Sequence, residues 1–233
     1  PEVFRIAERE ALREHADLMI ATDPDSDRIG AGVIRDSKAF FFTGNQIGAL
    51  LADFLSRQGS VKGKIMVTTV VTGDLGSRIV TSRGATVIHT LTGSKFVCEE
   101  MNHMEAGEFL LGYEESHGYI GGMHIRDKDG VLAAMLLCET AAWHKTQGKT
   151  LLDALEDLYE EYGYYIDEQD SFVFEGAKGA KEMQKIMARL RSRRGSVFAP
   201  LGKPDKILDY EKGVDELPRS NVLKFFFSNG SWV

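Results

Sequence analysis

Apolar and polar positions along this chain follow two rhythms, one near helical spacing and one of short continuous apolar runs, and the switches between them predict its elements. Val3, Phe4, Ala7, Ala11 and Leu12 recur close to helical spacing, with Pro1 at a first-turn position, so residues 1–15 are predicted as a helix feeding a strand over 17–21. Runs at 29–34 and 39–42 flank the turn Arg35-Asp36-Ser37-Lys38, which predicts a β-hairpin. Thr43 or Gly44 then starts a helix over 45–58, and Gly59 is expected to cap its end.

From Lys64 the rhythm changes. Strand-like runs at 64–71, 85–91 and 108–112 alternate with helical patterns at 74–82 and 95–104, which predicts a layered βα unit on a largely parallel sheet. In such sheets ligands gather at the carboxyl ends of strands, so the loops 90–95 and 112–122 are the places to search for a site. A long apolar helix over 131–145 follows, then one over 150–162 with Thr150 as N-cap and Asp153 three residues on. The pattern breaks around 163–169, where a domain boundary is expected. Beyond it the residues read as a strand over 171–174, a helix over 177–192, and a hairpin of 222–227 with 231–233, an α+β arrangement. There is no internal repeat and no low-complexity tract.

With 233 residues the chain has room for one large domain or two small ones. A net charge of −7, from 28 basic and 35 acidic residues, argues against a general nucleic-acid binder. No 18-residue apolar span or signal peptide is recognisable, so neither a membrane nor a secreted setting is expected. Cys98 and Cys138 lack CxxC spacing and lie in helix-like apolar surroundings, which predicts reduced core thiols and a cytoplasmic location. The sequon Asn229-Gly230-Ser231 reads as a hairpin turn. The opening on Pro1 and the strand-like ending at Ser231-Trp232-Val233 lead to the expectation that the chain is a segment of a longer protein.

Candidate chemistry begins in Asp23-Pro24-Asp25-Ser26-Asp27-Arg28, where an apolar run delivers three carboxylates at alternate positions onto a tight loop. Two like charges about 4 Å apart repel by roughly 4 kcal/mol at an effective dielectric of about 20, so three converging ones call for a cation. Oxygen-only ligands point to a hard ion, magnesium before zinc. Two other readings of the same residues stand beside this one: a solvated turn with Asx hydrogen bonds, and a phosphatase whose first aspartate is the nucleophile. An EF-hand is excluded because Arg28 and Ile34 stand where its glycine and bidentate glutamate belong.

A second loop carries Glu114, Glu115, Ser116 and His117 among Gly112, Gly118, Gly121 and Gly122. A carboxylate accepts from two neighbouring hydroxyls and glycines admit close backbone approach, so this composition suits a sugar ring, although acids in turns also simply face water. Lys95, Arg126 and Lys128 lie in adjoining loops and suit phosphate, as do many basic residues that serve only solubility. His117 and His124 are possible acid/base groups or incidental loop polar residues.

Four stretches in order now carry a resemblance. Asp23-Pro24-Asp25-Ser26-Asp27-Arg28 resembles the metal-binding loop of the α-D-phosphohexomutases, the phosphoglucomutase/phosphomannomutase superfamily. Thr90 to Phe96 (TLTGSKF) is similar to that family's TPTGxKF element, Gly112 to Tyr119 (GYEESHGY) to its sugar-specificity loop, and His124 to Gly130 (HIRDKDG) to a stretch with phosphate contacts. The resemblance implies that Asp23, Asp25 and Asp27 ligate magnesium. Arg28, Lys128 and His117 would stand at the catalytic centre, Arg28 beside phosphate and Lys128 as a proton-transfer or phosphate group. Glu114, Ser116, Thr92, Gly93, Lys95 and Arg126 would bind substrate, a sugar phosphate or bisphosphate; the tyrosine-containing loop is more similar to glucose-type or pentose-type members than to the shorter GEMSGH loop, and glucose is the substrate expected first, with mannose and pentose as alternatives.

The implied fold is α/β, with 1–43 as the end of a second domain, 44–166 as a third, and 167–233 as the opening of a fourth, α+β domain. The family's phosphoserine loop, of TxSHNP type, and its RPSGTEP-type phosphate loop have no counterpart here. Catalysis by these residues alone is therefore not expected, and the partners they need are the other domains of the same polypeptide.

Overall fold

The structure is a computed structural model describing residues 2–105, 107–193 and 196–233. It divides into two compact units, Pro1–Asp167 and Glu168–Val233.

The first unit opens with a 3-10 turn, Glu2–Phe4, leading into α1 (Arg5–Glu14), so the expected single helix begins more tightly than predicted. Only part of its apolar set is used: Phe4 and Ala11 are buried with Met19, whereas Val3 and Leu12 remain exposed. Strand β1 (Met19–Thr22) pairs antiparallel with β2 (Ile29–Arg35), and β2 with β3 (Lys38–Phe41), giving a three-stranded sheet. The turn between β2 and β3 places Asp36 and Ser37 at φ of 52° and 59°, the left-handed pair that matches the twist of a two-residue hairpin. Pairing of β1 with β2 was not foreseen, and it decides how the acidic loop between them is held.

Helix α2 (Gly44–Arg57) starts as predicted. The Thr43 hydroxyl accepts from the Gln46 N–H and the Gln46 side chain accepts from the Thr43 N–H, so two otherwise orphaned donors are satisfied. Gly59 does not cap it. The helix closes on Gln58, in right-handed geometry, whose N–H donates to the Leu55 carbonyl, so no left-handed residue is needed there.

The rhythm of short runs then produces β4 (Ile65–Thr69), α3 (Leu75–Ser82), β5 (Thr86–Thr90), α4 (Ser94–Met101) and β6 (Phe109–Tyr113), followed by β7 (Tyr119–Ile120). The sheet order is β5-β4-β6-β7, with β4 parallel to both β5 and β6 and β7 antiparallel at the edge. The buried run of β4 serves two layers: Met66 packs with α2, α3 and the last helices, while Val67 packs on the opposite face with Val97, Cys98 and Met101 of α4. Helices α5 (Gly130–Lys145) and α6 (Leu151–Tyr162) complete the first layer, α6 with a Thr150/Asp153 capping box. Cys98 is buried as expected, but Cys138 is exposed on α5 with Val131 and Met135, because that helix is apolar on more of its circumference than the core covers.

The second unit contains α7 (Gly176–Arg193), a 3-10 segment (Ser196–Leu201), and β8 (Lys206–Asp209) antiparallel to β9 (Leu223–Phe226). The strand predicted over 171–174 does not form; Phe172 and Val173 are exposed and pair with no strand among the described residues. The hairpin does form, with Phe226 bridged to Trp232 and the turn made at Gly230, φ 85°. Among the described residues no helix is long and apolar enough to cross a membrane.

One buried group in the first unit sets a pH dependence. His144, near the end of α5, is buried with neither ring nitrogen hydrogen-bonded. Burial pulls its pKa below the ordinary value of 6.5, opposed by Asp53 and Asp157 and assisted by Arg57 and Lys149. The unfolded chain therefore takes up this proton first as pH falls, so stability is full above about pH 6.5 and declines below it. Thermal melts of wild type and His144→Leu between pH 7.5 and 5 are expected to separate toward acid, the wild type falling more steeply with pH while the leucine variant lacks this contribution.

Candidate active site at the strand ends

The loop between β1 and β2 is shaped by its own residues. The Asp23 carboxylate accepts from the Arg28 N–H at 3.1 Å, the Ser26 N–H donates to the Asp23 carbonyl at 3.0 Å, and Ser26 adopts φ 57°. These bonds curl the chain so that one carboxylate oxygen from each of Asp23, Asp25 and Asp27 lies within 4.8 Å of the others. Such spacing is near the span of a six-coordinate oxygen shell around a small divalent ion, which needs only modest closure. Asp27 also keeps one buried oxygen, Oδ1, without a hydrogen-bond partner.

Two distant segments fix this loop in place. Arg28 forms an antiparallel bridge with Gly118, and the Ile29 N–H donates to the His117 carbonyl at 3.3 Å. On the other side the Gly130 N–H donates to the Ser26 carbonyl at 3.0 Å, so close that a β-carbon at Gly130 would strike that oxygen. The aspartate loop and the glutamate loop are thus stitched edge to edge.

Neighbouring glutamates of the second loop diverge. Glu114, 5% exposed, accepts from the Gly93 N–H at 2.7 Å and so ties the loop after β6 to the loop after β5. Burial pushes its carboxyl pKa up; the Gly93 bond opposes this, Glu115 adds to it, and Lys128 and Arg28 oppose it. Glu115 turns the other way and accepts from the Thr69 and Thr72 hydroxyls at 3.2 and 3.1 Å. The divergence is enforced at Gly44, where a β-carbon would overlap the Glu115 carbonyl oxygen.

Lys128 joins the two loops. Its stem lies over Gly118, where any β-carbon would collide with it, and its ammonium sits 2.8 Å from Asp27 Oδ2 and 3.6 Å from Asp127 Oδ1. Burial would lower its pKa, but Asp27, Asp127 and Glu114 together raise it, so the side chain is an ammonium at neutral pH. In that form it can hold a phosphate or give up a proton, not accept one. His117, at φ 68°, has Nδ1 3.1 Å from the Ile29 carbonyl, and burial first of all holds its pKa below the ordinary value. Its imidazole is neutral with Nδ1 engaged, leaving Nε2 as the free nitrogen.

The remaining predicted residues are more loosely placed. Thr92 is exposed, Gly93 contributes its N–H to Glu114, and Ser116, two residues past Glu114, is half-buried. Lys95 is exposed with its ammonium 4.7 Å from the Phe96 ring centroid. Arg126 bonds the Asn102 side chain and the Met123 carbonyl at 3.2 and 2.7 Å, so its guanidinium is engaged away from the aspartates. Two groups went unassigned from sequence: Asp127, which accepts from the Lys128 N–H at 2.8 Å, and Ser94, which together with that N–H holds the Asp127 pKa below its ordinary value. Both lie inside the quoted motifs, so position within a motif was the available signal.

The match to known proteins agrees with this geometry. The model of phosphoglucomutase/phosphomannomutase, alpha/beta/alpha domain III, matches residues 43–162. The chain belongs to the phosphoglucomutase/phosphomannomutase family. It is 35% identical over 244 residues to a phosphoglucomutase of Staphylococcus haemolyticus, covering 98% of this chain and 44% of that protein. Among solved structures, pp63/parafusin, a phosphoglucomutase from Paramecium, aligns over 97% of this chain and 40% of its own with a TM-score of 0.66 at 24% identity. A phosphoglucomutase/phosphomannomutase family protein from Burkholderia thailandensis aligns over 98% and 41%, TM-score 0.63, at 18% identity. These two likenesses establish the fold, a phosphoglucomutase-type α/β architecture. The chain spans less than half the length of the curated relative it matches.

Proposed function

We propose that the protein to which this chain contributes moves a phosphoryl group between the 1- and 6-hydroxyls of a hexose, glucose being the substrate that its phosphoglucomutase relatives favour. Residues 1–43 would be the end of its second domain, 44–166 its third, and 167–233 the opening of its fourth. The observation that carries this reading is the stitching of the aspartate loop to the glutamate loop through Arg28 and Gly118, with Lys128 reaching between them. A cation-holding group, a buried hydroxyl acceptor and a fixed ammonium then face one small space.

Asp23, Asp25 and Asp27 would hold magnesium, and the unpartnered Asp27 oxygen is consistent with that. The ion, when bound, would draw negative charge from a transferring phosphoryl group. Arg28 and Lys128 would grip the phosphate oxygens, Lys128 also supplying a proton to a departing oxygen. Glu114 would accept from sugar hydroxyls, held in place by the Gly93 N–H. Recognition through neighbouring ring hydroxyls lets one loop accept the sugar in either orientation, as a 1,6-bisphosphate intermediate would require.

The phosphorylated serine would come from outside these residues. Glucose 1-phosphate with magnesium and a glucose 1,6-bisphosphate primer is expected to be converted by the complete protein and left untouched by this chain alone. Sustained turnover by the 233 residues would overturn the external serine, and failure of the complete protein would overturn the reaction.

A further inference from the structure

We propose that the Lys128 ammonium stands in for the cation at the acidic loop, and that metal entry transfers it from Asp27 to Asp127, the neighbouring carboxylate that the Lys128 backbone N–H holds in reach. The inference rests on the reading of that loop as a magnesium site. Its grounds are geometric. The lysine stem is confined in the channel over Gly118, so only the end of the side chain is free to swing. That end is 2.8 Å from Asp27 and 3.6 Å from Asp127, so one ammonium is within reach of both carboxylates. Asp127 is largely exposed, but its Oδ1 accepts from the Lys128 N–H at 2.8 Å, which keeps it beside the lysine.

The charges supply the drive. Asp27 spends Oδ2 on the ammonium at 2.8 Å while Oδ1 has no hydrogen-bond partner and lies 4.0 Å from the Arg28 guanidinium, so the lysine is the nearer of the two cations on Asp27. A divalent ion among the three aspartates would bring like charge against that ammonium, and the nearest relief is Asp127. Lys128 is a positioning residue in this respect. Its displacement would couple a filled metal loop to an ammonium freed from Asp27 for substrate phosphate.

Magnesium titration calorimetry on the full chain tests this without any assay of turnover. Lys128→Met keeps the stem over Gly118 and removes the competing charge, and is expected to bind magnesium about tenfold more tightly, the gap shrinking in high salt. Lys128→Arg keeps the charge and is expected to stay near wild type. Asp127→Asn removes the receiving carboxylate and is expected to weaken binding about two- to threefold, an effect that disappears in the Lys128→Met background. Unchanged affinity in Lys128→Met, or an Asp127→Asn effect that persists without the lysine, would overturn the proposal. Absence of magnesium binding in every variant would overturn the metal reading with it, which distinguishes the two failures.

Discussion

Replacing Asp25 by asparagine is expected to lower magnesium affinity at the acidic loop at least about a hundredfold while leaving thermal stability within about 0.5 kcal/mol of wild type. The three aspartates are not equivalent for this test. Asp23 accepts the Arg28 N–H that shapes the turn, and Asp27 carries the Lys128 ion pair, so changing either disturbs structure as well as binding. The Asp25 carboxylate is exposed and makes no hydrogen bond or ion pair among the described residues. Removing its charge relieves repulsion among the three carboxylates, so a loss of affinity is not explained by misfolding. Because changing an outer partner of a metal ligand costs 10- to 100-fold, losing a ligand should cost no less. Equal magnesium titrations for wild type and Asp25→Asn would refute the loop as a metal site.

The largest stability effect is expected at Arg83. Asp53, on α2, has a side chain only 3% exposed, and two arginines neutralise it. Arg57, one turn along the same helix, is itself 41% exposed, whereas Arg83 at the end of α3 is 19% exposed. The Arg83 guanidinium binds the Asp53 carboxylate, the Asp53 carbonyl at 2.9 Å and the Ser56 hydroxyl, locking α3 against α2. Arg83→Met keeps the apolar stem but leaves a buried carboxylate with one partner. Breaking a buried pair costs roughly 3–5 kcal/mol, and the surviving Arg57 bond puts this case near about 3 kcal/mol. That corresponds to a fall in melting temperature of about 6–12 °C, with faster hydrogen exchange in α2 and α3. A shift below about 2 °C would mean that Arg57 alone suffices.

Much of the candidate site was legible in residue order. Carboxylates at 23, 25 and 27 mark a candidate cation loop through charge density alone, and the loops after β5 and β6 follow from searching for ligands at parallel strand ends. The helix starts at Thr43 and Thr150 were equally readable, because capping is chemistry between residues three apart. Errors fell where a local pattern lacked a long-range partner. The run 171–174 has strand-forming residues but no strand beside it, and β8 escaped notice because its pairing with β9 is what makes it a strand. Cys138 looked like core from composition, yet burial of a helix face depends on what packs there.

Order along the chain determined the elements, the family and the identity of the charged loops, since those depend on backbone periodicity and on residues near one another in sequence. Tertiary structure alone decided that Glu114 and not Glu115 turns toward Gly93, that Arg126 engages Asn102, and that Lys128 reaches Asp27 a hundred residues away. Side-chain direction in a loop is set by which distant backbone crowds it. Here glycines at 44, 118 and 130 admit that close approach, and the segments they admit aim the charges at one another.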